Sequence, residues 1–219
     1  GLDTEKADIK VSTVMETIPG VREVATNRSA LPPFDVYAPL MSLPVIFKTT
    51  LATVPAAIPY LVPPRNDFKV GNASPGAFKV GIVWAGEPSH KNDHNRSVPC
   101  ACFLPLLEVP GIHCHSLQVG ERVKELSHPQ AAGRITDLGS RFRDFGDTAQ
   151  AIAQMDLVIS VDTCVAHLAG APGKPVWTLL PFEAEWRWLL QREDTPWYPT
   201  MRLLRQQRVL RDVQAEGEL

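Results

Sequence analysis

The stretch DLVISVDTCVAHLAGAPGKPVWTLL, residues 156–180, decides the fold of this 219-residue chain. An apolar run rich in β-branched residues leads into a helical segment with many small residues, and a second apolar run follows. Alternation of buried strands with helices predicts a parallel sheet whose connecting helices cover both faces. The stretch therefore predicts an α/β domain with strands at residues 157–161 and 175–180 and a helix at residues 163–171.

The same alternation extends outward from this stretch. Further strands are predicted at residues 79–85, 112–118, 135–138 and 201–204, and helices at residues 98–107, 121–126, 148–154 and 186–192. With right-handed crossovers, these elements predict a doubly wound parallel sheet. Before residue 62 the pattern is poorer. An extended piece at 9–14 and a turn and strand at 19–24 predict only part of an α/β domain.

Composition changes near residue 75. Ten of the 20 prolines lie in the first 75 residues, whereas all five tryptophans follow residue 80. The stretch VPPRNDFKVGNASPG, residues 62–76, is rich in turn formers and lacks periodicity, which is typical of a linker. The sequence therefore predicts a partial first domain at residues 1–62, a linker at 63–77 and a second domain at 78–219.

Charge and hydropathy exclude several classes of function. The 22 basic and 24 acidic side chains leave a net charge of -2 without a long block of either sign, so nonspecific binding to nucleic acid or a membrane surface is not indicated. No apolar run approaches the roughly 20 residues of a spanning helix, and the first residues do not resemble a secretory signal. We expect a cytoplasmic chain that is not transmembrane, with its four cysteines reduced.

Two loops at predicted strand ends carry polar residues suited to an anion, because ligands of an open parallel sheet bind beyond the carboxyl ends of its strands. The loop at residues 86–97 concentrates His90, Lys91, His94 and Arg96. Such cations suit a phosphate, although the same loop could simply be solvated.

The second loop, which follows residues 157–161, opens a helix with Asp162 and Thr163. Its backbone N–H groups and dipole could meet a diphosphate, or Asp162 could serve only as the N-cap. His167 lies one helical turn later, where it could contact the ligand or pack the helix on the sheet.

The other predicted strand ends give weaker signals. Gln118 follows the strand at 112–118 with an amide that both donates and accepts, and Gly120 would let a base or ribose approach. The segment 179–199 places Pro181, Phe182, Glu183, Trp186 and Arg187 after the strand at 175–180. These residues could hold a base or sugar, but the tryptophans there also suit a core.

Metal chemistry is not indicated. The spacing of Cys100, Cys102, His113 and His115 matches no common zinc site, and no Asp-X-Asp pair is present to hold a divalent ion. Nucleophile-elbow, metalloprotease and P-loop motifs are also absent from the sequence. The prediction is a site without a metal or other cofactor, where Lys91, Arg96 and a helix dipole neutralise the charge of the ligand.

Several long blocks resemble bacterial glycosyltransferase family nine, the heptosyltransferase-like family, and more narrowly its members fused to tetratricopeptide repeats. They are WAGEPSHKNDHNRS (84–97), SLQVG (116–120), residues 137–182 from DLGSRF to TLLPF, WRWLLQREDTPWYPTMRLLRQ (186–206) and FDVYAPLMSLPVIFKTTLATVPAAIPYL (34–61). The resemblance covers residues 19–206. It implies two Rossmann-like domains of the GT-B type, the first incomplete, with a nucleotide-sugar donor bound by the second.

By this resemblance, the block with Asp162, Thr163 and His167 corresponds to the family's diphosphate and donor-sugar motif. The loop with Lys91 and Arg96 corresponds to a segment that meets phosphate. The acid proposed as catalytic base in heptosyltransferases lies in an opening strand, so the resemblance implies an N-terminally truncated chain whose base lies before residue 1.

The leading hypothesis is a metal-independent glycosyltransferase that moves a sugar from a nucleoside-diphosphate sugar to the hydroxyl of an unknown acceptor, a glycan or a protein. Its predicted substrate-binding residues are Lys91, Arg96, Gln118, Asp162, Thr163 and His167. The alternatives are a non-catalytic nucleotide-sugar-binding module, or fragment without its base, and an α/β scaffold that binds nothing.

Overall fold

A computed structural model describes residues 11–25, 31–71 and 76–207. Its sheet has six strands: β1 Phe78–Val83, β2 Ile112–Ser116, β3 Thr136–Asp137, β4 Leu157–Val161, β5 Val176–Leu180 and β6 Met201–Arg205. All neighbours pair in parallel, in the order β3-β2-β1-β4-β5-β6. This is the strand order of a Rossmann fold. The predicted α/β class and parallel sheet are confirmed.

Besides the helical residues 11–15, the described residues contain the α-helices α1 Leu43–Ile46, α2 Asp93–Arg96, α3 Phe145–Ala153 and α4 Cys164–Gly170. Three segments predicted as helices form 3-10 helices instead, at Cys100–Glu108, Glu121–Ser127 and Trp186–Trp188. In the first, Pro105 lacks the N–H that an α-helix needs. The third ends where Leu189 takes a positive φ of 54°.

No helix among the described residues combines the length and the apolar character that crossing a bilayer requires.

Two apolar clusters cover the opposite faces of the sheet. Val158 of β4 packs in the cluster with α3 and α4, whereas its neighbours Leu157 and Ile159 pack in the other cluster with Phe103. Side chains of successive strand residues point to opposite faces, so the two clusters lie on either side of β4. The sheet is therefore covered on both faces, as a doubly wound fold requires.

The N-terminal segment differs from its prediction. Residues 11–15 are helical, so the extended piece predicted at 9–14 is wrong where the structure describes it; residues 9 and 10 lie outside the described residues. Val11, Val14, Met15 and Ile18 follow helical spacing. The strand predicted within 19–24 is also wrong, because residues 21–25 have no regular structure.

The predicted linker packs against the sheet domain. Residues 64–70, which we call the strap, lie along α3 and bury Phe68 and Val70. Side chains of α3 bond the strap backbone: Gln150 Nε2 donates to Pro64 O (2.6 Å), Gln154 Nε2 donates to Phe68 O (3.2 Å), and Gln154 Oε1 accepts from Val70 N (3.3 Å). A boundary between two domains at 63–77 stays a prediction, but the strap is attached to the second unit.

Candidate functional site

The strand order creates a crevice between β1 and β4. The chain runs from β1 outward to β2 and β3, then returns to β4 and continues outward on the other side. The loops after these two central strands therefore leave in opposite directions, which is where open α/β sheets bind ligands. At this point Arg96, after β1, donates from Nη1 to the backbone oxygen of Asp162, after β4, at 3.1 Å.

A polar cleft of about 390 Å³ opens at this contact. Loops after three strands line it: His90, Asn92 and Arg96 after β1, Asp162, Thr163, Cys164 and His167 after β4, and Pro181, Glu183, Ala184, Glu185 and Arg187 after β5. Cationic and carboxylate side chains are thus mixed in one concave site. Such a site can accept an anion together with several hydroxyl groups.

Arg96 is held in place before any ligand arrives. Its Nε donates to Asp93 Oδ1 at 3.3 Å, and Ser97 Oγ donates to the same oxygen at 2.8 Å. Gly86 N in turn donates to Ser97 Oγ at 2.9 Å. A Cβ on Gly86 would lie 2.7 Å from Arg96 Cζ, so a larger residue would force the guanidinium to leave this position. The arginine is a preorganised cation with 15% of its side chain exposed.

Thr163 is the N-cap of α4. Its Oγ1 accepts from Val165 N at 3.3 Å, and its backbone oxygen accepts from Ala166 N at 3.1 Å. The interpretation of Asp162 as the N-cap is therefore wrong, and its carboxylate is not needed for that task. Two N–H groups expected to face a diphosphate are bonded to Thr163 instead, so the side chains of the cleft supply much of its donor capacity.

His167 is half-buried at the wall of the cleft. Its Nδ1 lies 3.0 Å from the hydroxyl of Tyr198, and its ring stacks on Trp188 with centroids 5.0 Å apart. Burial, and then the cation of Arg187, lower the pKa of His167, while Asp162 and Glu185 act in the opposite direction. The ring therefore packs within the domain and also lines the cleft, and its contact with a ligand stays a prediction.

Gln118 and Lys91 do not line the cleft. The Gln118 side chain is buried, where Oε1 accepts from Trp84 N (3.2 Å) and Ala85 N (2.9 Å). Its Nε2 donates to the backbone oxygens of Ala85 (3.1 Å) and Val119 (2.9 Å). These bonds explain why β1 ends at Val83 and not at residue 85. Gln118 fixes the base of the β1 loop, and Lys91 is exposed on that loop.

Arg187 and Glu185 line the cleft although they were not among the predicted substrate-binding residues. Arg187 Nε donates to Glu185 Oε2 at 2.8 Å, and its guanidinium lies 5.9 Å from the centroid of the Trp186 ring. The side chain of Arg187 is 47% exposed, so it is less constrained than Arg96. The signal in the sequence was its place in the segment after β5, at a third strand end beside the switch point.

Two further cavities lie in the described part of the structure. One, of about 330 Å³, lies between the 3-10 helices at Cys100–Glu108 and Glu121–Ser127 and contains none of the predicted site residues. The other, of about 240 Å³, is apolar and shares Cys164 and His167 with the polar cleft. Within residues 11–25, 31–71 and 76–207, no three histidine, cysteine or acidic side chains converge as a metal site.

Comparison with known proteins gives partial matches. No family model matches the chain. Protein FlbA of Caulobacter vibrioides is 29% identical over 131 residues, covering 57% of this chain and 21% of FlbA. The chain therefore spans about a fifth of the length of this relative.

Two solved structures are similar to part of the chain. E. coli heptosyltransferase WaaC with ADP gives a TM-score of 0.44 at 17% identity and covers 61% of this chain and 39% of its own. E. coli ADP-heptose LPS heptosyltransferase II gives a TM-score of 0.38 at 16% identity and covers 60% of this chain and 39% of its own.

Proposed function

We propose that the polar cleft binds a nucleoside-diphosphate sugar and that this chain belongs to a glycosyltransferase of family nine, of the heptosyltransferase-like type. The observation that carries the proposal is the contact between Arg96 and Asp162 at the switch point of a 3-2-1-4-5-6 sheet. The sequence blocks that resemble family nine include both residues. The association with tetratricopeptide repeats and a second, facing domain before residues 63–77 are parts of the same proposal.

The charges of the cleft suit a diphosphate. Arg96 and Arg187 approach from the loops after β1 and β5, and His167 lies on α4 between these loops. Guanidinium groups bind phosphate oxygens through paired, charge-assisted hydrogen bonds. Because Asp93 already orients Arg96, little side-chain entropy is lost when that arginine binds the ligand. Arg96 and Arg187 would neutralise the charge of the departing diphosphate without a metal.

The carboxylates of the cleft suit the sugar. Asp162, Glu183 and Glu185 lie among the cations and can accept hydrogen bonds from sugar hydroxyls. A carboxylate also repels a phosphate that approaches it, so the acids restrict where the diphosphate can lie. We therefore place the diphosphate against Arg96 and the sugar toward Asp162.

The transfer itself would follow ordinary glycosyl chemistry. The oxygen of the acceptor hydroxyl forms a bond to the anomeric carbon, and the bond from that carbon to the diphosphate oxygen breaks. The electron pair of the broken bond leaves with the diphosphate, and a base takes the acceptor proton. Arg96 and Arg187 would stabilise the charge that develops on the leaving diphosphate. No residue of the cleft is assigned as the base.

Calorimetric titration with ADP, UDP, GDP and their sugars, with and without EDTA, tests the proposal. We expect one nucleoside diphosphate to bind with an affinity that EDTA does not change. In Arg96→Met the affinity should fall about 10- to 100-fold, because a charge-assisted bond is lost. Arg134→Met is the matched control, since Arg134 is partly exposed and pairs with Glu108 outside the cleft.

The results of this titration distinguish a glycosyltransferase from a non-catalytic nucleotide-sugar-binding module. Binding that is lost in Arg96→Met but kept in Arg134→Met supports the donor site, and release of nucleoside diphosphate in the presence of an acceptor would show transfer. Binding without release would indicate a non-catalytic nucleotide-sugar-binding module. If no nucleotide binds to a cooperatively folded chain, or if both arginine variants bind equally well, the proposal is overturned.

A further inference from the structure

Tyr198 lies against His167 although 31 residues separate them in the sequence. Its side chain is buried, and its hydroxyl oxygen lies 3.0 Å from His167 Nδ1. Gly170, on the same helix as His167, makes room for it, since a Cβ there would lie 2.6 Å from Cγ of the tyrosine ring. The contact is therefore built into the packing of α4.

Trp188 fixes the plane of the same imidazole. Its indole ring is fully buried and nearly parallel to the His167 ring, with an interplanar angle of 17°. One face of the imidazole is thus occupied by Trp188 and one edge by Tyr198. Nε2 is the ring nitrogen left for a ligand in the cleft that His167 lines.

The hydrogen bond has a preferred direction. A phenol O–H, with an ordinary pKa near 10, is a better donor than a neutral imidazole N–H, and an imidazole nitrogen is a better acceptor than a phenol oxygen. Burial raises the pKa of Tyr198, so its hydroxyl keeps its proton. The interaction with Tyr60 raises the pKa of Tyr198 as well.

We propose that Tyr198 is a positioning residue that donates a hydrogen bond to His167 Nδ1 and so keeps the imidazole proton on Nε2. From there the neutral imidazole donates a hydrogen bond to an oxygen of the ligand in the cleft. The oxygen belongs to the diphosphate or to the sugar attached to it. The second step rests on the proposed function, whereas the first concerns the ligand-free chain alone.

Nitrogen-15 NMR of the histidine side chains tests the first step without any ligand. At pH 8 we expect His167 in the Nε2–H form in the wild-type chain, with its signal assigned from the His167→Gln variant. In Tyr198→Phe, which keeps the ring and loses the hydroxyl, both tautomers should be populated. Tyr37→Phe is the matched control, since Tyr37 is 82% exposed, and it should leave the tautomer unchanged.

An Nδ1–H form in the wild-type chain would overturn the proposal even if Tyr198→Phe does not fold. Equal tautomer populations in the wild type and Tyr198→Phe would overturn it as well, because Tyr198 would then have only a packing role.

The second step is read from the affinity for ADP, UDP and GDP. We expect Tyr198→Phe to weaken binding of the preferred diphosphate about 3- to 10-fold, consistent with the loss of one oriented donor. Unchanged affinity together with a changed tautomer would refute the contact between Nε2 and the ligand. If the wild-type chain binds no diphosphate, the proposed function and this second step fail together, while the tautomer measurement still decides the first.

Discussion

Residues 31–57 and the sheet domain contain similar apolar side chains, but these side chains are exposed in the first and buried in the second. Val36, Tyr37 and Val45 are 85%, 82% and 80% exposed, whereas Ile82 and Val158 are fully buried. The exposed segment forms helices of only three and four residues, between prolines, and its hydrogen bonds join near neighbours in the chain. Such short elements cannot present a continuous apolar face, so apolar composition alone does not make a core.

The strap is an intermediate case. It has no regular secondary structure, yet it buries Phe68 and Val70. Side chains of α3 supply the partners that its backbone would otherwise find in a helix or sheet. The strap is therefore buried because α3 lies along it and bonds its backbone, although it has no regular secondary structure of its own.

The largest expected effect contrasts two isoleucines. Ile82→Ala removes a fully buried side chain from β1, and unfolding by urea should show a loss of about 2–5 kcal/mol. Ile46→Ala makes the same change in α1, where the side chain is 56% exposed, and should cost less than about 0.5 kcal/mol. Similar losses in both variants would show that residues 31–57 are packed as tightly as the sheet domain.

Acid should destabilise the domain through His115, which is 2% exposed in β2. Neither ring nitrogen has a hydrogen-bond partner among the described residues. Burial, with smaller effects of His113 and Lys79, lowers the pKa of His115 to about 4. Between pH 6.5 and 4 the unfolded chain binds a proton that the folded chain does not, so this contribution to stability is present above pH 6.5 and is lost as pH falls toward 4.

The total loss from His115 is roughly 3 kcal/mol, and His115→Leu should flatten the dependence of stability on pH over this window. Urea unfolding at several pH values measures the slope. His128→Leu, at an exposed position, is the control and should keep the wild-type slope. If His115→Leu and the wild type lose stability equally between pH 6.5 and 4, the buried histidine is not the cause.

The sequence was sufficient for the central elements of the fold and for the convergence of four residues that line the cleft. β4 has the predicted bounds, and Arg96, Asp162, Thr163 and His167 meet at one cleft. These predictions depend on local pattern and on the rule that loops converge at the carboxyl ends of parallel strands. They need no knowledge of which side chain pairs with which.

Side-chain pairing across the chain was not predictable in the same way. The Gln118 amide is used by backbone groups more than 30 residues earlier, so its polar character gave no sign that it was buried. The position of Arg187 after a strand end was visible in the sequence. The 3-10 helix that carries it ends at the positive φ of Leu189, and no sequence pattern indicated this helix end. The apolar residues from 11 to 18 have helical spacing, so the sequence contains a signal for this helix that the predicted extended piece at 9–14 does not use.

The strap gives the third prediction. Asp147 of α3 is 1% exposed and accepts hydrogen bonds from Arg143 Nε (2.8 Å) and from Asn66 Nδ2 of the strap (3.0 Å). Asp147→Asn should lower the free energy of unfolding by about 1.5–3 kcal/mol, because charge-assisted bonds to a buried carboxylate are lost. Hydrogen exchange at Phe68 and Val70 should speed up in the same variant.

Arg143 lowers the pKa of Asp147, so the stabilisation by this carboxylate is present above about pH 4 and lost as pH falls below it. Asp194→Asn is the matched control, since Asp194 is largely exposed in its pair with Arg192, and its effect should be close to zero. If hydrogen exchange at Phe68 and Val70 becomes faster in Asp194→Asn, or does not become faster in Asp147→Asn, the carboxylate of Asp147 does not hold the strap.

The smallest effect is expected for Val45→Asp, a substitution in the exposed residues 31–57. A charge placed in a packed region must lose its hydration. The side chain of Val45 in α1 is 80% exposed, so an aspartate at this position keeps its carboxylate hydrated and removes little packing. The free energy of unfolding should therefore change by less than about 0.5 kcal/mol. Urea unfolding of the two chains at one protein concentration measures it. If the free energy of unfolding falls by more than about 1 kcal/mol, α1 is covered in solution. The exposure of residues 31–57 would then not follow from their short, proline-interrupted elements.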